Sequence, residues 1–341
     1  MRACAVSQRP LDLFLSSFMH PSDVLFQGKH QPVSLPVCDH YAGSEKLMRK
    51  SLALQQQLGP VFDITFDCED GAAAGDEIAH AQRVAALVAS DENHYRRVGA
   101  RVHDPASPHF EQDVKIICAT AARALAYLVI PKVESLAQLN ATIAVVEQHA
   151  KAAGRTDLPV HVLIETHGAL HEIWDIAALS AVECLSFGIM DFVSAHYGAI
   201  PDTAMRSPGQ FHHPLVMRAK LEIAAACHAH GKIASHNVCT EIRDLSVVSG
   251  DALEASKALG YGRMWSIHPD QIAPIVKAFA PAVGETEDAT AILLAAQSAG
   301  WGPIQYQSKL HDRASYRYYW TVLQRAKQSG QRLPETAGAL M

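Results

Sequence analysis

Short apolar runs recur along the chain, with longer stretches of helical spacing between them. Eight of these runs read as buried strands: Val33 to Cys38, Val61 to Phe66, Val98 to Val102, Ala126 to Ile130, Val160 to Ile164, Val182 to Phe187, Lys232 to Ser235 and Met264 to Ile267. A near-continuous apolar run, rather than an alternating one, is what a parallel strand covered on both faces requires. The intervening segments include SEKLMRKSLALQQQL, SLAQLNATIAVVEQHAKAA, VMRAKLEIAAACHAHG and DALEASKALG, and the last two end in the glycine that commonly stops a helix. Eight such units predict an α/β fold, a closed (β/α)8 TIM barrel. A dinucleotide-type open sheet lacks support, because no glycine-rich phosphate loop follows the first strand. After FAPAVGE the pattern changes at Pro281 and Gly284, so residues 1–284 are expected to form the barrel and residues 285–341 a C-terminal helical extension. Its aromatic cluster, Tyr316, Tyr318, Tyr319 and Trp320, suits either a subunit contact or packing within the chain.

Composition narrows the class. At 341 residues the chain accommodates a barrel plus an appendage, and 49% hydrophobic with 19% charged residues is an ordinary soluble balance. The formal charge of -6, with basic residues scattered, offers no stripe to neutralise a phosphate backbone, so nucleic acid is not an expected partner. Seven cysteines without a CxxC pair predict reduced thiols in a cytoplasmic setting and disfavour zinc. The opening MRACAVSQRPLDLFLSSF has a broken apolar stretch and Pro10, unlike a secretory leader. No run approaches the roughly 18 to 20 apolar residues of a spanning helix, so no membrane partner is expected.

The chemistry gathers at strand ends, where barrels of this kind keep their reactive groups. PVHVLIET ends in Glu165 and its Thr, and VECLSFGIMD ends in Asp191. Two carboxylates so placed suit a divalent metal, and hard oxygen donors favour Mg2+ over Zn2+. They equally suit a structural role in which Glu165 pairs with a buried base and Asp191 caps a helix. Further polar groups follow the other strands: Asp67, Glu69 and Asp70 in DCEDG, Arg101 in RVHD, Lys132 and Glu134 in PKVES. Buried unpaired, such groups are costly, so they form a salt-bridge network or surround a ligand.

These stretches, FDITFDCEDG, GARVHDP, LVIPKVESLAQL, HVLIETHGAL, LSFGIMDF and ALGYGRMWSIHPDQIAPI, resemble the HpcH/HpaI aldolase and citrate lyase β-subunit family, with its malyl-CoA lyase relatives, in the family's order. The resemblance runs from about Lys50 to Pro281. It implies Mg2+ on Glu165 and Asp191, a substrate-holding arginine at Arg101, and Glu69 and Asp70 positioning Arg101 and water. Lys132 and Glu134 are implied as supports, His268 as a loop-shaping residue, and the assembly as a homo-oligomer, a trimer or hexamer.

Two positions depart from the family pattern. Many CoA-using members carry an arginine near the place of Val33, while Lys50 still matches a lysine of the following helix and is the candidate contact to CoA. After the seventh strand several relatives have an aspartate where SHNV places His236, a candidate acid or base because histidine titrates near neutral pH; a neutral histidine filling the rim is the alternative. The resemblance implies Mg2+-dependent cleavage or formation of a 3-hydroxy acyl-CoA thioester, with an oxo acid and a CoA thioester as small-molecule partners. A CoA-independent aldolase acting on a hydroxy-keto acid and an acyl-CoA thioesterase remain the competing chemistries.

Overall fold

A computed structural model describes residues 20–26 and 32–341. The leader reading of the first 18 residues, and Cys4 with it, lie outside the described residues.

Eight parallel strands close into a barrel in sequence order: β1 (Cys38–Ala42), β2 (Phe62–Asp67), β3 (Val98–Arg101), β4 (Leu128–Ile130), β5 (Val160–Ile164), β6 (Val182–Phe187), β7 (Ile233–His236) and β8 (Arg263–Ser266). Closure comes from β8 pairing with β1, Cys38 opposite Met264 and His40 opposite Ser266. Helices cover the outside, and their starts are written locally. Ser44 caps Glu45–Leu58 by accepting from Leu47 N, and Ser135 caps Leu136–Ala152 by accepting from Gln138 N. The TIM barrel expected from the apolar runs is the fold observed.

The first strand is the exception in position. The apolar run Val33 to Cys38 contains Pro36, which cannot donate to a ladder, and the pairing begins only at Cys38. Strand β1 reads CDHYA, and its polar residues mask it in the sequence. Asp39 is nonetheless buried inside the barrel, where Thr65 Oγ1 donates to its Oδ1 at 2.8 Å and Tyr127 Oη at 3.1 Å.

The barrel interior below the rim is charged. Arg263, fully buried, reaches Asp39 Oδ2 at 3.1 Å and Asp63 Oδ2 at 2.6 Å, and Arg97 Nε meets Asp63 Oδ1 at 2.6 Å. Against it Tyr127, whose Oη bonds Asp39 and accepts from Arg263 Nη2 at 3.3 Å, stacks on His161 with centroids 3.8 Å apart.

The described residues divide into two compact units, the barrel with residues 324–332, and a smaller unit of residues 20–26, 283–323 and 333–341. The smaller unit is not purely helical, since Ile304–Tyr306 and Lys309–His311 pair as an antiparallel hairpin between helices Val283–Ser298 and Arg313–Gln328. Its own core holds Tyr316 and Trp320 with Leu293, Trp301 and Leu323, whereas Tyr318 is 60% exposed. All six described cysteines are buried free thiols. No helix among the described residues is long and apolar enough to cross a membrane.

Candidate active site

The strand ends surround a cleft of about 440 Å³ at the C-terminal face of the barrel. Asp67, Asp70, Arg101, Glu165 and Asp191 line it together, with Tyr41 and Trp265, stacked at 4.5 Å, as an apolar wall.

Arg101 ends β3 and is held as a fork. Its Nε donates to Asp67 Oδ1 at 2.8 Å and its Nη2 to Asp67 Oδ2 at 2.5 Å, while Nη1 lies 3.0 Å from Glu69 Oε2. Burial opposes the charge on Arg101, but the Asp67 carboxylate outweighs it and the pKa rises. For Asp67 burial likewise pulls toward neutrality, and the Arg101 guanidinium with two backbone N–H groups brings its pKa below the usual carboxylate range. Those N–H groups belong to Glu69 and Gly71. Gly71 must be glycine, because a Cβ there would stand 2.2 Å from Asp67 Oδ2. A guanidinium has five N–H donors and the two hydrogen bonds to Asp67 use two of them, while Glu69 Oε2 is paired with Nη1 by charge and not by a hydrogen bond.

Lys132 follows β4 in a left-handed backbone conformation, φ 49°, unusual for a residue with a side chain. There its backbone N–H donates to Glu165 Oε1 at 2.7 Å, and its Nζ reaches Glu69 and, at 2.9 Å, Asp70 Oδ2. Against the cost of burial, those two carboxylates raise its pKa. Glu134, two residues on, is exposed.

Glu165 ends β5 and is buried. Burial first, then the negative charge of Asp191, pushes its carboxyl up to about 8, against the lowering effect of the Lys132 N–H and of Arg101. Gly188 permits this approach, since a Cβ there would meet Glu165 Oε2 at 2.0 Å. Asp191 lies in the first turn of helix Ile189–Ser194 after β6. Five carboxylates, Asp67, Glu69, Asp70, Glu165 and Asp191, thus face two cations, Arg101 and Lys132. No three His, Cys, Asp or Glu side chains among the described residues converge as a metal cage. The donor set fits Mg2+, which binds through one or two carboxylates and keeps its other positions for water and substrate oxygens.

The remaining candidates fall elsewhere. His236 is fully buried, its Nε2 2.7 Å from Lys220 Nζ and its ring stacked on Phe211, and it does not line the cleft. Its neighbour Asn237 does. Alternation along β7 explains this, because consecutive side chains point to opposite faces. Lys50 is exposed on helix Glu45–Leu58 and does not line the cleft. His268 caps the turn Pro269–Gln271 in a reciprocal pair with Gln271, in keeping with a loop-shaping role. Asp67, the clamp on Arg101, was visible in DCEDG but without a role; its parity with Thr65 and Asp63, both inward-facing, was the available signal.

Residues 51–269 match the HpcH/HpaI aldolase/citrate lyase family. An L-malyl-CoA/beta-methylmalyl-CoA lyase of Cereibacter sphaeroides is 29% identical over 280 residues, 77% of this chain and 87% of that protein. The crystal structure of a citrate lyase from Burkholderia xenovorans is 58% identical, with a TM-score of 0.82, covering 95% of this chain and all of that one. Protein CitE of Mycobacterium tuberculosis, solved with magnesium, acetoacetate and coenzyme A, is similar in fold at 21% identity, TM-score 0.65, over 86% of this chain and 99% of that one.

Proposed function

The chain belongs to the HpcH/HpaI aldolase/citrate lyase family, and from that premise we propose that it is a Mg2+-dependent carbon–carbon lyase acting on a 3-hydroxy acyl-CoA thioester of the malyl-CoA or citryl-CoA type. The observation that carries the reading is the Glu165 carboxyl, held near 8 beside Asp191 in a cleft with more carboxylates than cations. Burial and a second carboxylate both oppose the charge on Glu165, and a divalent cation between the two would favour it. Glu165 and Asp191 would hold Mg2+. When bound, the metal would supply Lewis-acid polarisation of a substrate oxygen.

The chain's own residues do the rest. Arg101, fixed by Asp67 and Glu69, presents N–H groups that Asp67 does not use to the substrate carboxylate or to the oxygen on which charge develops, a geometry a lysine cannot copy. Lys132 ties Glu69 and Asp70 together and orients Glu165 through its backbone N–H. Tyr41 and Trp265 keep one wall of the cleft dry. In the cleavage direction the hydroxyl loses its proton, its carbon becomes the carbonyl of an oxo acid, and the carbon–carbon bond pair passes to the acyl-thioester fragment, which is then protonated. In the other direction the same groups join the two fragments.

Val33 and the exposed Lys50 favour a second reading, in which a hydroxy-keto acid is cleaved without CoA. Calorimetric titration separates the two. Mg2+ binding at pH 7 should release about one proton, read from its heat in buffers of different ionisation enthalpy, and should be absent in Glu165→Ala. Acetyl-CoA binding at low salt supports the thioester reading; oxo-acid binding with Mg2+ but no acetyl-CoA binding supports the second. Unchanged Mg2+ affinity in both Glu165→Ala and Asp191→Ala would defeat the metal site on which both rest.

A further inference from the structure

Behind the cleft lies a buried polar chain that the reading above does not use. His236 Nδ1 is 3.2 Å from the backbone carbonyl of Asn237, and Lys220 Nζ lies 2.7 Å from His236 Nε2 and 2.8 Å from Gln210 Oε1. Gln210 Oε1 also accepts from Asn237 Nδ2 at 2.9 Å, and Gln210 Nε2 donates to Asp251 Oδ2 at 2.9 Å. Asn237 Nδ2 makes a second bond, to Val238 O at 2.9 Å.

The sense of every bond follows from donor chemistry. A carbonyl only accepts, so His236 Nδ1 carries the proton and Nε2 presents a lone pair. Lys220 therefore donates to Nε2, and an amine in either protonation state has a second hydrogen for Gln210. The oxygen of Gln210 must then face Lys220, and its NH2 faces the Asp251 carboxylate. With that oxygen turned toward Asn237, the Asn237 NH2 points inward and both of its hydrogens are used. What remains is Asn237 Oδ1. That atom is buried, belongs to a side chain only 1% exposed that lines the cleft, and has no hydrogen-bond partner among the described residues. A buried acceptor left unmatched is costly, and among the unmatched side-chain atoms of residues lining the cleft, with Tyr41 Oη and Trp265 Nε1, Asn237 Oδ1 is the one that can only accept.

We propose that Asn237 is a substrate-binding residue whose Oδ1 accepts a hydrogen bond from the hydroxyl of a 2-hydroxy acid moiety, with Gln210, Lys220 and His236 as positioning residues that prevent the amide from turning. The inference rests on the lyase reading for the identity of that hydroxyl, which is the group that becomes the oxo acid's carbonyl. It gives Asn237 a part in specificity, because an acceptor oxygen suits a hydroxyl and gains nothing from a carbonyl. A site built for one hydroxyl rejects analogues that lack it.

Lactate and pyruvate, alike in skeleton and charge, differ in that one group. Their dissociation constants, titrated with Mg2+ present, should separate the roles. Asn237→Ala should weaken lactate about tenfold and leave pyruvate within about twofold. Asn237→Leu, which keeps the side-chain volume, should do the same, so that a fold defect in the alanine variant does not decide the matter. Lys220→Met, by freeing the amide to rotate, should weaken lactate by a smaller factor, again with pyruvate unchanged. In the metal-free protein, nitrogen NMR of the His236 ring should show a neutral Nδ1–H tautomer. Equal weakening of both acids, no weakening of lactate, or a proton on Nε2 overturns the proposal alone. Failure of the wild type to bind either acid with Mg2+ overturns the lyase reading and this inference with it.

Discussion

The barrel holds two groups of carboxylates that differ in balance. In its interior, Asp39 and Asp63 meet Arg263 and Arg97, two charges against two, with Thr65 and Tyr127 filling remaining bonds. At the rim, five carboxylates meet Arg101 and Lys132. Each set has buried carboxylates, Asp39 and Asp63 in one and Asp67, Glu69 and Glu165 in the other, so burial alone does not separate a structural network from a binding site. The sign of the local charge does. The interior charges balance, while at the rim burial first and then the Asp191 charge hold the Glu165 carboxyl up near 8.

The comparison breaks most visibly from the interior side. Arg263→Leu strands Asp39 in the core and leaves Asp63 with Arg97 alone, and should lower unfolding stability by about 3–5 kcal/mol in urea titrations, the usual cost of removing one partner of a buried pair. Adding Asp39→Asn and Asp63→Asn to that variant should recover much of the loss. A loss below about 1 kcal/mol would mean that water reaches the interior network.

At the rim the same kind of change should act with the opposite sign. The folded pKa of Glu165 lies above its ordinary value of 4.5, so its unfavourable effect on stability is absent below about pH 4.5 and grows as pH rises through about 8. Glu165→Gln, which keeps the acceptor for the Lys132 N–H, should therefore stabilise the metal-free protein at pH 9 by about 2–4 kcal/mol, the upper range corresponding to roughly three pKa units. At pH 5 the two proteins should melt together. Mg2+ should then raise the Tm of the wild type but not of the variant. Equal stability at pH 9 would place the rim with the interior as a self-satisfied network.

Arg101 links the two cases, being both ion-paired with Asp67 and Glu69 and part of the cleft lining. Arg101→Lys should lower kcat/KM about 100-fold, close to the loss in Arg101→Ala, because a point charge cannot replace the fork held by Asp67 and Glu69. Retention of most activity would reduce Arg101 to general electrostatics. The smallest effect belongs to the solvated charge. Lys50→Ala should weaken acetyl-CoA a few-fold at low ionic strength and not at all near 0.5 M salt, where exposed charges are screened. A loss that survives high salt would place Lys50 in a closer contact than its exposure suggests.

What could be read from the chain alone was whatever is local. Mostly apolar runs of four to six residues placed β2 to β8 because a strand covered on both faces is rich in apolar residues, even where Asp63 or Arg263 interrupts it. The polar groups at the ends of those runs were legible for the same reason, being the residues that stop them. That reasoning misplaced β1, whose Asp39 is polar and yet buried, because its partner Arg263 lies 224 positions away in the sequence and on the neighbouring strand of the barrel. It set His236 at the site where Asn237 stands, since a motif marks a strand's end but not which of two successive side chains turns inward. Charge balance was beyond it altogether. Glu165, Asp191 and Asp67 are each ordinary acids in the sequence; only strand pairing decides that Arg101 of β3 stands opposite Asp67 of β2 while Glu165 and Asp191 come together after β5 and β6, because electrostatic energy depends on distances that strand order and register create.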